Sequence, residues 1–559
     1  MKPALLIATC CFIAATNAAR AGSPELGDLG KVGSVHFPTS CDPAVQQEFE
    51  RGVALLHSFF YDEARRIFMS VAEKDPECAM AHWGVAMTYY HPIWTAPDSS
   101  ELAQGRAAVE RALKATKKND RERGFIHAME AFYMGVDDPQ GASVGAPSCH
   151  ALTGLDPKGR AACFRREMER VAAHNPEDTE AAAFFALSLL GTAPPGDPLL
   201  ANQTKAAEIL ESRYAKEPNH PGLAHYLIHT YDYPALATKG LPAANAYAAM
   251  QPWVPHALHM PSHIYTRLGM WKETIASNAA SAEASRKYAA QFHPGAASFE
   301  ELHALDYLVY AHLQRAEDEE AKEILHHVTS IKRTHPETDF VVAYAFGAIP
   351  ARYALERRAW KEAATLQVRP MPFWNRMPFA EGLIMYARAV GAAKSGDKKT
   401  AESAARRLGE LSTLSKDPRF KYFAEQMEVQ RQAAVALLAV ADGRREEGVA
   451  ALRTLAARED SLGKHPVSPG ALLPIRELLG EVLLESGRAE EALTEYEASL
   501  RIYPGRFNGL SGAAQAAEKA GKKDVARRYS QQLIDLAGGG DGQRPELAHA
   551  KEFLAGSQH

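Results

Sequence analysis

Apolar and small residues recur along this 559-residue chain with helical spacing, in paired stretches separated by short turns. In the segment 45–77, the small residues Gly52 and Ala64 are followed by the aromatic Phe68 and then by Pro76. Small residues let two antiparallel helices approach closely, an aromatic ring fills the space between them, and proline ends the second helix. The pattern therefore predicts helix-turn-helix units and an all-α chain.

The same spacing returns near the other end, in a unit that starts at Leu473 and carries Gly480, Ala492, Tyr496 and Pro504. More degenerate units lie between the two ends, at 177–220, 221–254, 255–288, 302–336, 344–377, 382–415 and 424–457. These positions resemble those of the tetratricopeptide repeat (TPR) family, whose unit is 34 residues long. The resemblance implies an α-solenoid, a right-handed superhelix of about a dozen TPR-like helical hairpins with a ligand-binding concave groove.

The beginning of the chain predicts export. Met1-Lys2-Pro3 precedes an apolar run from Ala4 to Ala15, and Ala19-Arg20-Ala21 has the small-x-small form of a cleavage site. A lipoprotein signal through Cys10 or Cys11 is a weaker alternative. We therefore expect a periplasmic or secreted protein, an exported bacterial-type TPR solenoid. Its predicted divisions are a signal peptide (1–21), an N-terminal extension (22–44), an N-terminal array (45–335), a C-terminal array (336–535), and a linker with a capping helix (536–559).

Four cysteines remain after the predicted signal peptide, and export would allow them to form disulfides because the compartment is oxidising. Three pairings of Cys41, Cys78, Cys149 and Cys163 are possible. We favour Cys149 with Cys163, which bracket a short loop, and this leaves Cys41 for Cys78. Closing a loop of that size contributes about 3 kcal/mol on the chain-entropy account.

Composition excludes several classes of protein. The formal net charge of −5 and the interspersed charges leave no basic patch of the kind that nucleic-acid binding needs. No stretch after the N-terminal run is apolar enough for a transmembrane segment. Phosphate-binding, dinucleotide-binding and His-Glu-x-x-His motifs do not occur in the sequence.

Histidines are concentrated in the segment 221–313. His225, His229 and Asp232 are spaced to share one face of a helix, and His259 and His263 follow 34 residues after the first two. The next unit carries Asp306 and Tyr310 at the same repeat positions, with His303 nearby. By the TPR resemblance these positions face the groove, which predicts two ladders across neighbouring helices: His225, His259, Asp306 and His229, His263, Tyr310.

Three interpretations of this cluster stay open: hydrogen-bonded structural histidines, a polar groove for an anionic ligand or peptide, and a divalent metal site. Imidazole with carboxylate suits zinc, copper, iron or nickel. Pro261 either kinks its helix beside the cluster or begins that helix. The candidate metal ligands are His225, His229, His259, His263, His303 and Asp306.

Aromatic residues add a second candidate feature. Trp83 and Tyr90 occupy groove positions of the second unit by the same resemblance, where they either stack on a ligand or fill the end of the array. The candidate ligand-binding residues are therefore Trp83, Tyr90, His225, His229, Asp232, His259, His263 and Tyr310.

The predicted function is an exported TPR-repeat scaffold whose concave groove binds a peptide, protein or small ligand. The alternative is a metal-binding protein or a metal-dependent hydrolase that uses the cluster at 225–312, with Tyr231, Asp232 or Tyr307 transferring protons.

The export signal gives the first testable prediction. The mature protein, recovered from the medium or periplasm, should begin at or near Gly22 when its N-terminus is sequenced. Exported protein that retains Met1 would contradict both the signal and the assignment to an oxidising compartment.

Overall fold

The computed structural model describes residues 30–134, 149, 157–194, 196–371, 374–415 and 417–556. The predicted signal peptide and the first part of the N-terminal extension lie outside the described residues. The export prediction therefore stays a prediction.

Helices make up most of the described chain. The first half contains α1 (Gln46–His57), α2 (Tyr61–Lys74), α3 (Ala79–Met87), α4 (Ser99–Lys114), α5 (Asp120–Tyr133), α6 (Pro157–His174), α7 (Thr179–Gly191), α8 (Ala201–Tyr214), α9 (Pro221–Tyr231), α10 (Leu241–Met250), α11 (Pro255–His259), α12 (Pro261–Leu268) and α13 (Trp271–Phe292). Each first helix of a pair packs against the second helix that follows it.

The second half continues the series. It contains α14 (Phe299–Gln314), α15 (Asp318–Ser330), α16 (Phe340–Glu356), α17 (Trp360–Ala364), α18 (Pro378–Ser395), α19 (Lys398–Leu414), α20 (Lys421–Ala441), α21 (Arg445–Leu462), α22 (Ile475–Glu485), α23 (Ala489–Ile502), α24 (Phe507–Lys519), α25 (Lys523–Ala537) and α26 (Pro545–Gly556). Two-residue strands β1 (Ala297–Ser298) and β2 (Thr334–His335) form one parallel pair. The predicted all-α solenoid of about a dozen helical pairs is confirmed, with α11 and α12 together serving as one first helix.

The repeat is visible in how its small residues pack. A Cβ atom added at Gly52 would lie 2.8 Å from the ring of Phe68, and one added at Gly84, in the next pair, would lie 2.5 Å from the same ring. Near the other end, Gly480 and Gly512 hold the same relation to Tyr496. Each ring thus occupies a space that exists only because a glycine stands on either side of it.

The turns repeat as well. A residue with positive φ stands two positions before the second helix at Phe59, Gly269, Ala316, Arg358, Gly396, Gly443, Gly487 and Gly521. Glycine adopts this left-handed conformation without steric cost, so most of these turns use it. The recurrence confirms the helix-turn-helix unit independently of the helix bounds.

Pro261 interrupts its helix without redirecting the chain. Helix α11 ends at His259, Met260 keeps helical dihedral angles, and α12 begins at Pro261. Both alternatives from the sequence are thus partly realised, because Pro261 is the first residue of α12 and the two short helices still follow one another closely. The first helices of units 221–254 and 255–288 contact each other, as the repeat register requires.

The inner face of the solenoid is occupied by the chain itself. Residues 463–474, which connect α21 to α22, pass along the first helices α14, α16 and α18. Backbone carbonyls of this segment accept hydrogen bonds from Tyr307 (to Ser468, 3.3 Å), Arg352 (to Ala471, 3.3 Å) and Tyr386 (to Leu473, 3.3 Å). The groove that the sequence leaves open to a ligand is therefore filled here by an internal segment.

Covalent and terminal contacts complete the fold. Disulfides join Cys41 to Cys78 and Cys149 to Cys163, which confirms the favoured pairing. The glycine-rich stretch before α26 is held in place, because Asp541 accepts a hydrogen bond from the backbone N–H of Asp318 at the start of α15 (2.7 Å). Within the described part of the chain, helices of the length and apolarity that a bilayer crossing needs do not occur.

The glycine contacts give a stability prediction. Gly84→Ala and Gly512→Ala should each lower the unfolding free energy by about 1–3 kcal/mol, because the added methyl group overlaps an aromatic ring in a packed core. Gly539→Ala, where an added Cβ atom meets nothing within 4 Å, is the matched control. Urea unfolding followed by circular dichroism measures the change, and equal midpoints for all three variants would refute the packing account.

Candidate metal centre

Six histidines from consecutive first helices meet inside the solenoid. Helix α9 supplies His225 and His229, which lie one turn apart; α11 and α12 supply three more, and α14 supplies the last. The set is His225, His229, His256, His259, His263 and His303, and their exposed fractions lie between 0% and 7%. We call these residues the histidine cluster.

The cluster divides into two groups of three. In triad 1 (His225, His229 and His256) and in triad 2 (His259, His263 and His303), one nitrogen from each ring lies within 4.8 Å of the others. The triads adjoin, because the His229 and His263 ring centres are 5.8 Å apart and those of His256 and His259 are 6.0 Å apart. Of the four groove histidines that the repeat register predicts, each triad contains two, and His256 and His303 supply the third member of triad 1 and triad 2.

Hydrogen bonds in triad 2 fix where its protons are. His263 Nδ1 lies 2.9 Å from an Asp232 carboxylate oxygen, which only accepts, so this nitrogen carries the proton. His259 Nδ1 lies 2.6 Å from the Asn278 side-chain oxygen, because the Asn278 amide nitrogen donates to the Thr274 carbonyl instead. Both rings thus hold their proton on Nδ1 when neutral, and both Nε2 atoms present a lone pair.

These two lone pairs face each other. The Nε2 atoms of His259 and His263 are 3.0 Å apart. Without a proton between them, two acceptors at this distance repel, whereas a cation bound by both would stabilise the arrangement. Two nitrogens that ligate one tetrahedral metal at 2.0–2.1 Å are about 3.3 Å apart, so the observed spacing is close to that of a shared ion.

Triad 1 also has a ring that is oriented by a hydrogen bond from its second nitrogen. His225 Nδ1 donates to the backbone carbonyl of His57 (2.6 Å), which leaves its Nε2 as an acceptor. A hydrogen bond from the second ring nitrogen to a carbonyl or carboxylate is the usual way in which a protein orients a metal-binding histidine. The Nε2 atoms of His225, His229 and His256, and both nitrogens of His303, are buried without hydrogen-bond partners among the described residues.

Burial keeps the cluster neutral. It lowers the pKa of His225 to about 3, despite the opposing hydrogen bond to the His57 carbonyl. Burial first, and then neighbouring imidazoles, hold the pKa values of His229, His256, His259 and His303 well below 6.5. Neutral rings have the lone pairs that metal binding requires.

A charged group borders triad 2. Asp232 bonds His263 (2.9 Å), Arg267 (2.8 Å) and Lys464 (2.7 Å), and its exposed fraction is 9%. Burial alone would raise the pKa of Asp232, but Lys464 and Arg267 hold it well below its usual range. Burial lowers the pKa of Lys464 to about 8. Asp232 thus orients His263 rather than facing the cluster as a free ligand.

Aromatic rings and the internal segment close the cluster. The Phe59 ring centre lies 4.5 Å from that of His225 and 5.6 Å from that of His256. Trp94 packs edge-on against His256 and His303, with ring centres 5.8 Å and 5.0 Å away. Phe59 holds a left-handed backbone (φ 53°) at a position where five of the other seven turns of this kind have glycine, so the chain accepts local strain at this residue.

A third group of buried titratable residues provides an internal contrast. His57 bonds Tyr226 and Glu180 (2.9 and 2.7 Å), and His220 bonds Glu180 (2.9 Å) while it accepts from a backbone N–H. Every nitrogen of these two rings has a protein partner. Hydrogen-bonded structural histidines therefore do occur in this chain, and the histidine cluster does not resemble them.

The predicted ladders are only partly right. His229 does lie beside His263, but His225 lies beside His256 instead of His259, with ring centres 5.1 Å apart. His259 in turn lies beside His303, 4.2 Å away, instead of Asp306. His256 and His259 are three residues apart and share one face of the helix, so either could meet His225, and a strict 34-residue spacing names only His259.

Two predicted site residues belong to separate ion-pair networks. Asp306 pairs with Arg352 (3.1 Å), and both are almost fully buried, so its candidacy as a metal ligand is wrong in this structure. The Tyr310 hydroxyl accepts from Arg506 (2.9 Å), which also pairs with Glu356 and Glu477. Both side chains therefore link helices instead of lining the cluster.

Trp83 and Tyr90 take the packing role. The Trp83 ring meets Phe37, Phe125 and Phe184 edge-on, with centres 5.5–5.7 Å away, and its exposed fraction is 1%. Tyr90 packs against Phe132 and Phe164. The N-terminal extension supplies Phe37, so these aromatic residues fill the end of the array and do not stack on a ligand at its surface.

Sequence reasoning missed the residues that enclose the cluster. His256 could have been included among the metal candidates, since it stands three residues before His259 in the same histidine-rich stretch. Lys464 and Phe59 reach the cluster from distant parts of the chain, and no local pattern marks them. Trp94 was visible as an aromatic residue but not as a neighbour of His303.

The repeated helical pairs, turns and glycine contacts define the class of this protein as an α-solenoid built from helical hairpins. Neither a protein-family model nor a curated protein sequence matches the chain.

Among solved structures, the chain is similar to the TPR domain of P58(IPK), with 16% identity over 68% of this chain and 99% of that one (TM-score 0.21). Yeast Tom70 is 11% identical over 92% and 96% (TM-score 0.32), and the APC/C hetero-tetramer Cut9-Hcn1 is 10% identical over 92% and 96% (TM-score 0.27). Scores of this size carry no conclusion about function.

The reassignment of Asp306 can be tested by stability. Asp306→Ala leaves the buried Arg352 guanidinium without its partner and should lower the unfolding free energy by about 3–5 kcal/mol. The double variant Asp306→Leu with Arg352→Met should recover most of that loss, because it removes both charges. Chemical denaturation measures both, and a neutral Asp306→Ala variant would contradict the ion-pair role.

Proposed function

We propose that this chain is an exported helical-repeat binding protein, and that the ligand held at its inner face is a transition-metal ion coordinated by the histidine cluster. The repeat scaffold supports a binding role in general terms. The two disulfides are in keeping with an oxidising compartment, and this supports the export part of the proposal.

One observation carries the metal assignment: the 3.0 Å approach of two Nε2 lone pairs, on His259 and His263, whose Nδ1 protons are already committed. His303 brings a third nitrogen to the same point. Three imidazoles, two of which are oriented by outer hydrogen bonds, form the protein part of a site that leaves one coordination position for another ligand.

The purely structural interpretation explains this arrangement poorly. A buried polar group without a partner costs about 1–3 kcal/mol, and the cluster contains several such nitrogens. The His57–Glu180–His220 group shows that this fold can satisfy buried histidines completely. A bound cation would remove this free-energy cost, because the nitrogen lone pairs would coordinate it.

A peptide partner is the second candidate, favoured by the internal segment 463–474. Side chains of α14, α16 and α18 bind the backbone carbonyls of that segment, which is how a groove recognises an extended polypeptide. An external peptide would have to displace this segment or bind elsewhere on the scaffold.

Hydrolysis has no comparable support. Tyr231 is engaged by Glu211, and Asp232 is held by two cations. Burial raises the pKa of Tyr307 well above 10, so its hydroxyl stays protonated and cannot act as a base. The proton-transfer residues that a hydrolase needs are thus committed to other partners, so we propose binding and not catalysis.

The experiment is a metal analysis of the full chain, purified from the exported fraction without a histidine tag. After incubation with a copper or zinc salt and desalting, elemental analysis should find at least one ion per chain. His303→Leu should lower the content by at least one ion, while the metal-free variant unfolds at the same or a higher denaturant concentration, because both replaced nitrogens lack protein partners.

His220→Leu is the matched control, since it removes a buried histidine whose nitrogens are bonded. It should lose about 1–3 kcal/mol of stability and keep its metal content per folded chain. Wild-type protein that retains no metal, or a His303→Leu variant that binds as the wild type does, would refute the metal proposal.

A further inference from the structure

The histidine cluster is larger than one metal ion needs. A structural or catalytic metal usually takes three or four protein ligands, and the cluster offers six imidazoles in two groups of three. Each group is complete by itself, because the three candidate nitrogens in it lie within 4.8 Å of one another. The two groups share a border along His229–His263 and His256–His259.

Triad 1 has its own evidence for a ligand. Its three Nε2 atoms are all buried and without partners among the described residues, and the His225 ring is fixed by the backbone carbonyl of His57. These facts do not depend on the contact between His259 and His263 that supports triad 2. The three Nε2 atoms of triad 1 are therefore available to coordinate a second ion.

We infer that triad 1 and triad 2 each hold a copper ion, so that the solenoid carries a pair of copper ions side by side at its inner face. This inference rests on the proposed metal-binding function and adds to it the number of ions, their identity and the role of His256.

The donor set favours copper. All six ligands are neutral imidazoles, because Asp306 pairs with Arg352 and Asp232 faces Arg267 and Lys464. Ligands without carboxylate disfavour magnesium, calcium and manganese, and of the metals that imidazole suits (zinc, copper, iron and nickel) copper is the one with a common monovalent state.

Charge points to the monovalent ion. The charged residues nearest triad 2 are one anion, Asp232, and two cations, Arg267 and Lys464, so the surroundings already carry excess positive charge. Two divalent ions repel each other roughly four times as strongly as two monovalent ions at the same separation, and burial weakens screening. Copper(I) places the least additional charge in this volume.

The test uses the full chain, loaded with copper(I) under ascorbate and without oxygen, and then desalted for elemental analysis. Wild-type protein should hold two copper ions per chain. His225→Leu with His229→Leu should hold one, His303→Leu should hold one, and the triple variant should hold none that survives competition with a copper(I) chelator. His326→Ala with His549→Ala, two exposed histidines outside the cluster, should hold two.

The outcomes separate this inference from the proposed function. Wild-type protein without metal overturns both. One copper ion per wild-type chain, lost in His303→Leu and kept in the triad 1 variant, upholds the metal site but overturns the pair. Two zinc ions bound as readily as two copper(I) ions overturn the charge argument and the choice of copper. Circular dichroism identifies any unfolded variant, and His256→Leu then replaces the triad 1 double variant with the same expected count of one.

Discussion

Close approach of helices within and between pairs is the constraint on which this solenoid depends. Phe68 fits only because Gly52 and Gly84 lack side chains, and Tyr496 fits only because Gly480 and Gly512 lack them. These contacts fix the distance and register of neighbouring first helices. Helices α9, α11, α12 and α14 follow one another in the same series and contact each other, so side chains that face inward on one helix meet those of the next, and the histidine cluster is the result.

The inner face is closed by the chain's own backbone. Tyr307, Arg352 and Tyr386 donate to carbonyls of the segment 463–474, so an extended stretch without regular structure finds partners for its polar groups in a buried setting. The same segment delivers Lys464 to Asp232. Closure of the groove and the electrostatic environment of triad 2 therefore have one structural cause.

Much of the fold could be predicted from the sequence because the repeat depends on the spacing of residues that are close together in the chain. Gly52, Ala64, Phe68 and Pro76 each act within one helical pair, and so do their counterparts near 480–504. The inward stripe of His225, His229, His259 and His263 is likewise a matter of register. The sequence could not show which of the two histidines on that helix face, His256 or His259, would meet His225.

Long-range contacts were beyond the same reasoning. Asp306 occupies the same repeat position as His259, but its partner Arg352 lies in the next first helix. The sequence around Asp306 does not indicate this pairing. Lys464 reaches Asp232 across 232 positions of sequence. Such pairings depend on the path of the whole superhelix, and small changes of angle at each helical pair accumulate along it.

The energetic asymmetry between the two groups of buried histidines bears most directly on function. His57 and His220 share Glu180, so that group is neutralised by protein alone, and Tyr226 completes the bonding of His57. The cluster has instead outer hydrogen bonds at His225, His259 and His263 and buried lone pairs at the centre. A fold that only needed stability would place apolar side chains there, since these replace unpartnered polar groups at no cost in hydrogen bonds. In these rings the Nδ1 atom is fixed by a hydrogen bond, while the Nε2 atom keeps its lone pair. This is the arrangement that binding a cation requires.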